Sequence, residues 1–299
     1  MSTPATFNID RAHAPAKLRN ILFTTDFSEA SMKALPYAGS IARTFGAKVF
    51  LCHVITPTPV AVGAAPAAQY VFDAECDNAK RVFANAELWK ELNGLEKQSL
   101  LPSGIFGDSL AEAIAENEID LVVAGTHGRT GLSRLLLGSS AEEICRVATC
   151  PVLTVGPHLL PDGRKLEQIL LLTDLSDESR AALPYVVQFA RKYGAAVTVL
   201  HVLPPETATN PDAKELAEPI RRMVVHSYED SLQGLTVKYV LESGEIVPTM
   251  LKVAERERAD LIALGVRSAF LPGFQLRSSV AYRVISGAHC PVLTCRLKS

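Results

Sequence analysis

The sequence predicts an α/β protein of two tandem domains, each a five-stranded parallel sheet with helices on both faces. Three observations lead to this prediction. The chain has 299 residues, a length that suits about two domains. Short apolar runs suited to buried strands alternate with amphipathic stretches suited to helices, which is typical of a parallel sheet covered on both sides. The second half of the chain also repeats the first.

The repeat consists of matched segments at a fixed spacing. Residues 21–28 read Ile-Leu-Phe-Thr-Thr-Asp-Phe-Ser and match residues 169–176, which lie 148 positions later. The segment Cys-Pro-Val-Leu-Thr at 150–154 recurs at 290–294, which is 140 positions later. The second half is therefore shorter by eight residues, lost between its second and third strands.

In the first half we expect the order β-α-β-α-β-α-β-α-β. The predicted strands lie near 19–25, 48–55, 95–101, 119–125 and 151–155. The predicted helices lie near 29–45, 72–92, 107–118 and 139–149. Ser139 is a good N-cap for the last helix, and Glu142 three positions later would complete a capping box.

The second half follows the same plan. Its strands are predicted near 166–173, 196–202, 235–241, 260–265 and 291–296. Turn-forming residues separate the halves. We therefore divide the chain into a lead-in at 1–18, a first domain at 19–156, a linker at 157–165 and a second domain at 166–299.

Composition and charge exclude several classes of partner. The net charge of −2 provides no global field for nucleic acid or an anionic membrane. No apolar run is long enough for a membrane span, and the first residues do not read as a secretion signal. The six cysteines include no CxxC pair, which favours buried thiols in a cytoplasmic protein over a redox or metal site.

A glycine-rich loop with a basic character follows the predicted fourth strand. It contains two arginines, Arg129 and Arg134, and no acidic residue. Glycines allow positive φ and close approach to a ligand, and the free amides of the following helix attract anions. The loop therefore predicts a phosphate site, although a tight turn with glycines for packing is the alternative. Its glycines are Gly125, Gly128, Gly131 and Gly138.

The spacing of this loop is more specific than its composition. Gly125, two residues, Gly128, nine residues, Gly138 and Ser139 resemble the ATP-binding signature of the universal stress protein family. The spacing fits neither a P-loop nor the dinucleotide fingerprint. The resemblance covers about residues 18 to 298. It implies an adenine-nucleotide alpha-hydrolase-like, Rossmann-like fold in tandem and an adenine nucleotide as ligand, ATP or a related one, bound with Mg²⁺.

In an open parallel sheet, ligands bind outside the carboxyl ends of the strands, where the strand order reverses. Asp26, Val54 and the Gly125 loop should converge there. By the resemblance, Thr25, Asp26 and Val54 would face adenine and ribose. Asp26 could alternatively help to start a helix. The residues that would hold ribose and phosphates are Gly125, Thr126, Gly128, Arg129, Gly138, Ser139 and Ser140.

The loop of the second half departs from the pattern. Gly265 is retained, but Ser268 and Ser278 stand where Gly128 and Gly138 stood. Each serine adds a Cβ where the backbone should approach phosphate. We therefore expect weak or no ATP binding in the second half, with a residual anion site left open. His53 and His201 lie in apolar strands at matched positions, and we expect hydrogen-bonded core histidines there.

The resemblance implies a nucleotide-dependent regulator of the stress response that acts on an unknown protein partner. Two alternatives stay open: a nucleotide-independent interaction protein, or a slow ATP-hydrolysing enzyme on the same fold. No set of residues in the sequence indicates a catalytic base with a transition-state arginine. The apolar last strands of the halves need covering. They could pair as an intramolecular pseudo-dimer, and a homodimer is a further possibility.

Overall fold

A computed structural model of the chain describes residues 18–57, 65–126, 138–156, 159, 165–208, 215–266 and 279–297. Ten strands in these ranges form one sheet. They are β1 Asn20–Thr24, β2 Lys48–Cys52, β3 Lys97–Leu100, β4 Leu121–Gly125, β5 Val152–Val155, β6 Gln168–Thr173, β7 Ala196–Leu203, β8 Val237–Ser243, β9 Leu261–Val266 and β10 Val292–Arg296. Their order across the sheet is β3-β2-β1-β4-β5-β10-β9-β6-β7-β8.

Helices connect these strands on both faces of the sheet. They are α1 Glu29–Met32, α2 Leu35–Phe45, α3 Ala65–Ala84, α4 Phe106–Glu116, α5 Ser139–Val147, α6 Asp177–Arg180, α7 Leu183–Tyr193, α8 Ala217–Tyr228, α9 Ile246–Arg256 and α10 Val280–Gly287, with short 3₁₀ helices at Ala86–Leu92 and Pro205–Ala208. In the described ranges, no helix combines the length and the apolar character needed to cross a membrane.

The predicted alternation of strands and helices is confirmed, but two helix boundaries were wrong. The region 29–45 forms two helices, α1 and α2, because Pro36 in the first turn of α2 has no N–H to continue the ladder of α1. The region 72–92 belongs partly to α3 and partly to a 3₁₀ helix. Asn85 starts that helix by accepting a hydrogen bond from the N–H of Glu87.

The two halves of the sheet meet at its centre through their last strands. Strands β5 and β10 are antiparallel, with Leu153 opposite Leu293, whereas all other neighbouring strands pair in parallel. Thr154 Oγ1 donates to the carbonyl of Val292 at 3.1 Å, and the matched Thr294 donates back to Val152 at 3.3 Å. The predicted intramolecular pairing of the halves is therefore confirmed.

The core is arranged differently on the two faces of the sheet. On the face covered by α2 and α7, one cluster of buried side chains runs through both halves. Phe45 of α2 and Phe189 of α7 meet there with ring centroids 5.3 Å apart. On the other face there is one cluster for each half, but α5 contacts both, because its Ala141 is a buried member of the second-half cluster and its Cys145 packs against both clusters. The halves are joined by shared packing as well as by the central pair of strands.

Candidate functional site

The strand order places a crevice at the carboxyl ends of the first half. Strand β1 lies between β2 and β4, and the direction of winding reverses between β1 and β4. Thr24 is in register with Cys52 on one side and with Ala124 on the other. The three strands therefore end at the same level, about 5 Å apart. Ligands bind at such reversal points in open parallel sheets.

Thr25 organises the turn that leaves β1. Its buried Oγ1 accepts a hydrogen bond from the N–H of Phe27 at 2.9 Å and lies 2.8 Å from the hydroxyl of Ser31. Its carbonyl oxygen lies 2.8 Å from Nδ1 of His53. The predicted hydrogen-bonded histidine is thus confirmed, and the hydroxyl of Thr25 is engaged within the turn.

The second half builds the same turn. Thr173 Oγ1 accepts from the N–H of Leu175 at 2.9 Å, and the carbonyl of Thr173 lies 2.9 Å from Nδ1 of His201. The hydroxyl of Tyr228 adds a contact of 2.6 Å to Thr173 Oγ1. Since both halves share this arrangement, the Thr25 side chain has a structural role that does not depend on a ligand.

Asp26 lies two residues beyond the end of β1 and is half-buried. Its Oδ1 accepts a hydrogen bond from the N–H of Ser28 at 3.0 Å, and Ser28 in turn caps α1. The expected role in starting a helix is therefore present. Asp174 accepts in the same way from Ser176. Burial opposes the ionisation of Asp174, but the hydrogen bonds from Ser176 outweigh it and hold the pKa of that carboxyl below its usual range.

Val54 lies two residues beyond β2, on the other side of the same turn. Its side chain is buried. Its neighbours are paired with the next segment, because the N–H of His53 donates to Leu100 at 3.1 Å and that of Ile55 to Pro102 at 2.9 Å. The N–H and C=O of Val54 itself have no hydrogen-bond partner among the residues that the structure describes. The backbone of Val54 therefore offers a hydrogen-bond donor and a hydrogen-bond acceptor next to each other at the crevice.

The surroundings of Gly125 show a packing role, in addition to the close approach to a ligand that the sequence predicts. A Cβ added at Gly125 would lie 2.8 Å from the carbonyl oxygen of Ala30 and 2.8 Å from Cα of Ser31. Gly125 does not have positive φ. The matched Gly265 is packed against the backbone of Glu178 in the same way. Packing of the short helix against the strand end therefore requires this glycine in both halves.

The two ends of the loop after β4 are joined directly. The N–H of Gly138 donates to the carbonyl of Thr126 at 2.7 Å, and Thr126 is buried. Gly138, with φ of −63°, is the N-cap of α5, and its carbonyl accepts from Glu142 at 2.9 Å. The predicted capping box was wrong: Ser139 is the first helical residue and α5 has no side-chain cap. The loop closure at Thr126 starts the helix one residue earlier.

The start of α5 is consequently open. Ser139 and Ser140 are exposed, and the first amides of a helix have no partner within it. The matched helix α10 differs, because Ser279 caps it by accepting from the N–H of Tyr282 at 3.1 Å. Gly128 and Arg129 lie outside the described residues, as do Ser268 and Ser278 of the second loop.

Phe27, in the turn that follows β1, has a backbone conformation that the sequence did not predict. It has a left-handed φ of 62°, and its ring centroid lies 4.4 Å from that of His53. Leu175 at the matched position has φ of 66°. Such values are uncommon for residues other than glycine. An apolar residue gives no local sign of this conformation, and the matched position in the repeat was the only available signal.

Cys52 is the last residue of β2 and carries a titratable thiol near the crevice. Burial raises the pKa of the Cys52 thiol to about 12, so it stays protonated at neutral pH. In the part of the chain that the structure describes, no group of three or more metal-binding side chains is found. The arrangement is suited to binding, because a carboxylate, a backbone donor and acceptor, and an open helix start all follow strands that end at the same edge of the sheet.

Comparisons with known proteins agree on one family. The family model described as "Universal stress protein family" matches residues 17–156 and again 165–296. A universal stress protein of Mycolicibacterium smegmatis is 26% identical over 290 residues, covering 92% of this chain and 96% of its own. One from Methanocaldococcus jannaschii is 34% identical over 142 residues, covering 46% of this chain and 81% of its own. The crystal structure of one from Archaeoglobus fulgidus has a TM-score of 0.74 at 20% identity and covers 95% of this chain and 100% of its own.

Proposed function

The chain belongs to the universal stress protein family, in two tandem repeats, and from that premise we propose that its first half binds an adenine nucleotide. The observation that carries the proposal is that backbone groups without hydrogen-bond partners lie on two sides of one crevice. On one side are the backbone N–H and C=O of Val54. On the other is the uncapped N-terminus of α5, which follows the loop closed between Thr126 and Gly138.

The Val54 backbone suits the edge of an adenine base. Its C=O can accept a hydrogen bond from the exocyclic amine, and its N–H can donate to the neighbouring ring nitrogen. Val54 and Ile55 are buried, which provides an apolar wall for the base. Asp26 lies beside this position with a carboxylate that can accept hydrogen bonds from ribose hydroxyls, as acidic residues do in related sheets.

The phosphates would lie at the start of α5. The amides of Ser139 and Ser140 and the positive end of the helix dipole favour a polyanion there. Arg129 on the loop would add a charged donor. Mg²⁺ would arrive on the nucleotide, because it prefers phosphate and water ligands over a dedicated protein cage.

In this proposal the first half is the sensor. The protein acts in the cytoplasm as a nucleotide-dependent regulator of the stress response, ATP is its ligand, and nucleotide occupancy changes the surface that a protein partner meets. The second half keeps Asp174 but has Ser268 and Ser278 in its loop and Ser279 as the cap of α10. In α10 the hydroxyl of Ser279 accepts from the N–H of Tyr282, whereas in α5 the matched N–H of Glu142 donates to the carbonyl of Gly138 and the cap has no side chain. We expect one nucleotide per chain.

The test begins with the nucleotide content of protein purified without added ligand, followed by titration with ATP and Mg²⁺. Asp26→Ala should weaken ATP binding, whereas Asp174→Ala should not. The two carboxylates share one contact, since each accepts a backbone N–H at 3.0 Å, and Asp174 also accepts from the hydroxyl of Ser176. The loss of Asp174 should therefore reduce stability at least as much as the loss of Asp26, so weaker ATP binding in Asp26→Ala alone would not be explained by destabilisation. Gly128→Ser with Gly138→Ser imitates the second loop and should abolish binding.

The alternatives give different results in the same experiments. Two nucleotides per chain would contradict a silent second half. An empty protein that takes up no ATP would favour a nucleotide-independent interaction protein. Repeated turnover of ATP would favour a slow ATP-hydrolysing enzyme, even at a rate below the kcat of about 1 per second or more that is typical of enzymes.

A further inference from the structure

A residue of the second half holds the C-terminal end of α5. Arg296, at the end of β10, donates from Nη1 to the carbonyl of Arg146 at 3.0 Å and to that of Ala148 at 3.5 Å. Its Nη2 donates to the carbonyl of Cys145. The last carbonyls of a helix have no partner within it and carry the negative end of its dipole. One guanidinium therefore contacts three of the carbonyls at this end of the helix.

The matched position in the first half has no such side chain. Gly156 stands 140 positions before Arg296, just as Ala148 stands 140 positions before Ala288. A Cβ added at Gly156 would point toward the carbonyl of Ala288, 3.9 Å away, at the end of α10. We call the binding of the α5 carbonyls by Arg296 a clamp. Gly156 lies where the side chain of a second clamp, on the end of α10, would start, but glycine has no side chain to form it. Among the residues that the structure describes, this clamp is therefore found on the helix of the half whose glycine loop is intact and not on α10.

We propose that Arg296 is a positioning residue for the nucleotide phosphates, through which the second half controls the affinity of the first. The inference rests on the proposed function, since it concerns the same site. Arg296 does not touch the crevice. It fixes α5, whose opposite end presents the amides of Ser139 and Ser140.

The geometry of α5 makes this control effective. The helix has nine residues and is therefore about 13 Å long, so its two ends respond to one rigid movement. Its N-terminus is fixed by the bond between Gly138 and Thr126, and its C-terminus by Arg296. Without Arg296, three carbonyls would turn toward water, and the start of α5 would lose its fixed direction toward the ligand.

Arginine is suited to this position. Its planar fork can bind several carbonyls at once, which a lysine ammonium on a flexible stem does less well. Burial lowers the pKa of the Arg296 guanidinium, although the group stays charged at neutral pH. A half-buried cation is screened less by solvent than an exposed one, so its effect on the helix dipole is larger.

The test compares ATP with adenosine, because only ATP extends to α5. Affinities are measured by calorimetry for the full-length protein and for Arg296→Ala and Arg296→Lys. We expect Arg296→Ala to bind ATP about 5- to 30-fold more weakly, the range of helix-dipole effects in partly buried sites, and adenosine within about twofold of the parent. Arg296→Lys should recover part of the loss.

The pseudo-symmetry provides a control for general destabilisation. Arg296→Ala combined with Gly156→Arg moves the clamp from α5 to α10 and should restore thermal stability. The weakened ATP binding should persist in this double variant. If the double variant regains the ATP affinity as well, or if Arg296→Ala weakens ATP and adenosine equally, the positioning role is wrong. A parent protein that binds neither ligand would instead contradict the proposed function.

Discussion

Leu153 of β5 and Leu293 of β10 lie directly opposite each other, and both side chains are buried in the cluster shared by the two halves. The pseudo-twofold relation between the halves passes between these residues. The same cluster extends through β1 of the first half and β6 of the second. Because the packing is continuous, we expect the two halves to unfold together.

Phe189→Ala tests this cooperativity. Phe189 is 1% exposed and belongs to the second half, but its ring packs against Phe45 of the first. We expect a loss of about 3–5 kcal/mol in the free energy of unfolding, as for other buried phenylalanines. Hydrogen exchange should show that amides of β1 and β6 lose protection by the same amount. Ile105→Ala is the control, since Ile105 is 73% exposed and should change stability by less than about 0.5 kcal/mol. Loss of protection in the second half alone would show that the halves are independent.

Two exposed residues with left-handed backbone should be sites of stabilisation. Glu118 has φ of 47° and the matched Arg258 has φ of 54°. This conformation places Cβ close to the next carbonyl oxygen, which costs about 1 kcal/mol that glycine avoids. We expect Glu118→Gly and Arg258→Gly each to raise the free energy of unfolding by about 0.5–1 kcal/mol. Thermal denaturation of both variants checks this, with Glu112→Gly inside α4 as a control that should instead destabilise. Equal losses in all three variants would contradict the strain argument.

Buried thiols should make the fold sensitive to alkali. Burial raises the pKa of Cys52, Cys145 and Cys290 from an ordinary value of 9.0 to about 12. An unfolded thiol loses its proton near pH 9, whereas the folded one keeps it, so the unfolded state binds fewer protons above that pH. Stability is therefore fully present below pH 9 and falls as the pH rises from 9 to 12, by up to about 1.4 kcal/mol per thiol and pH unit.

The measurement is the free energy of unfolding in urea between pH 8 and 10.5. Cys290→Ala should have a shallower decline above pH 9 than the parent, because one of the raised pKa values is removed. At pH 8 the same three thiols should stay unmodified by a thiol-specific reagent until the chain is unfolded, since the thiolate is the reactive form. Parallel declines in parent and variant would show that other groups govern the alkaline transition.

Most of the fold could be predicted because the repeat shows the sequence pattern of each strand and helix twice. The match of 21–28 with 169–176 marked both first strands, and the apolar strands at 151–155 and 291–296 indicated the pairing across the centre. The site was less predictable because its details depend on contacts between distant segments. Ser139 had the chemistry of an N-cap, but the bond between Gly138 and Thr126 starts α5 one residue earlier. Arg296 reads as an ordinary charge at a strand end, and only the fold brings it to α5.

Gly125 belongs to the loop motif, but packing against α1 also requires a glycine at this position. The variant Gly125→Ala tests this packing role. A Cβ at this position would lie 2.8 Å from backbone atoms of α1 and could not be relieved by a flexible side chain. At Gly265 the added Cβ would overlap the carbonyl oxygen of Glu178. Overpacking of this kind costs about 1–3 kcal/mol. We therefore expect both variants to lose stability without any nucleotide present, Gly265→Ala by more than Gly125→Ala.

Gly156→Ala is the matched control, because a Cβ there would meet only the carbonyl of Ala288 at 3.9 Å, an ordinary contact. Urea denaturation of the three ligand-free variants provides the comparison. If Gly125 served only the approach of phosphate, Gly125→Ala would be as stable as Gly156→Ala and would lose ATP affinity alone. If packing of α1 requires the glycine, stability falls first, and any loss of affinity follows from the displaced strand end. Retention of Gly265 beside a loop whose other two glycines are serines agrees with the packing role, since that half keeps the helix contact.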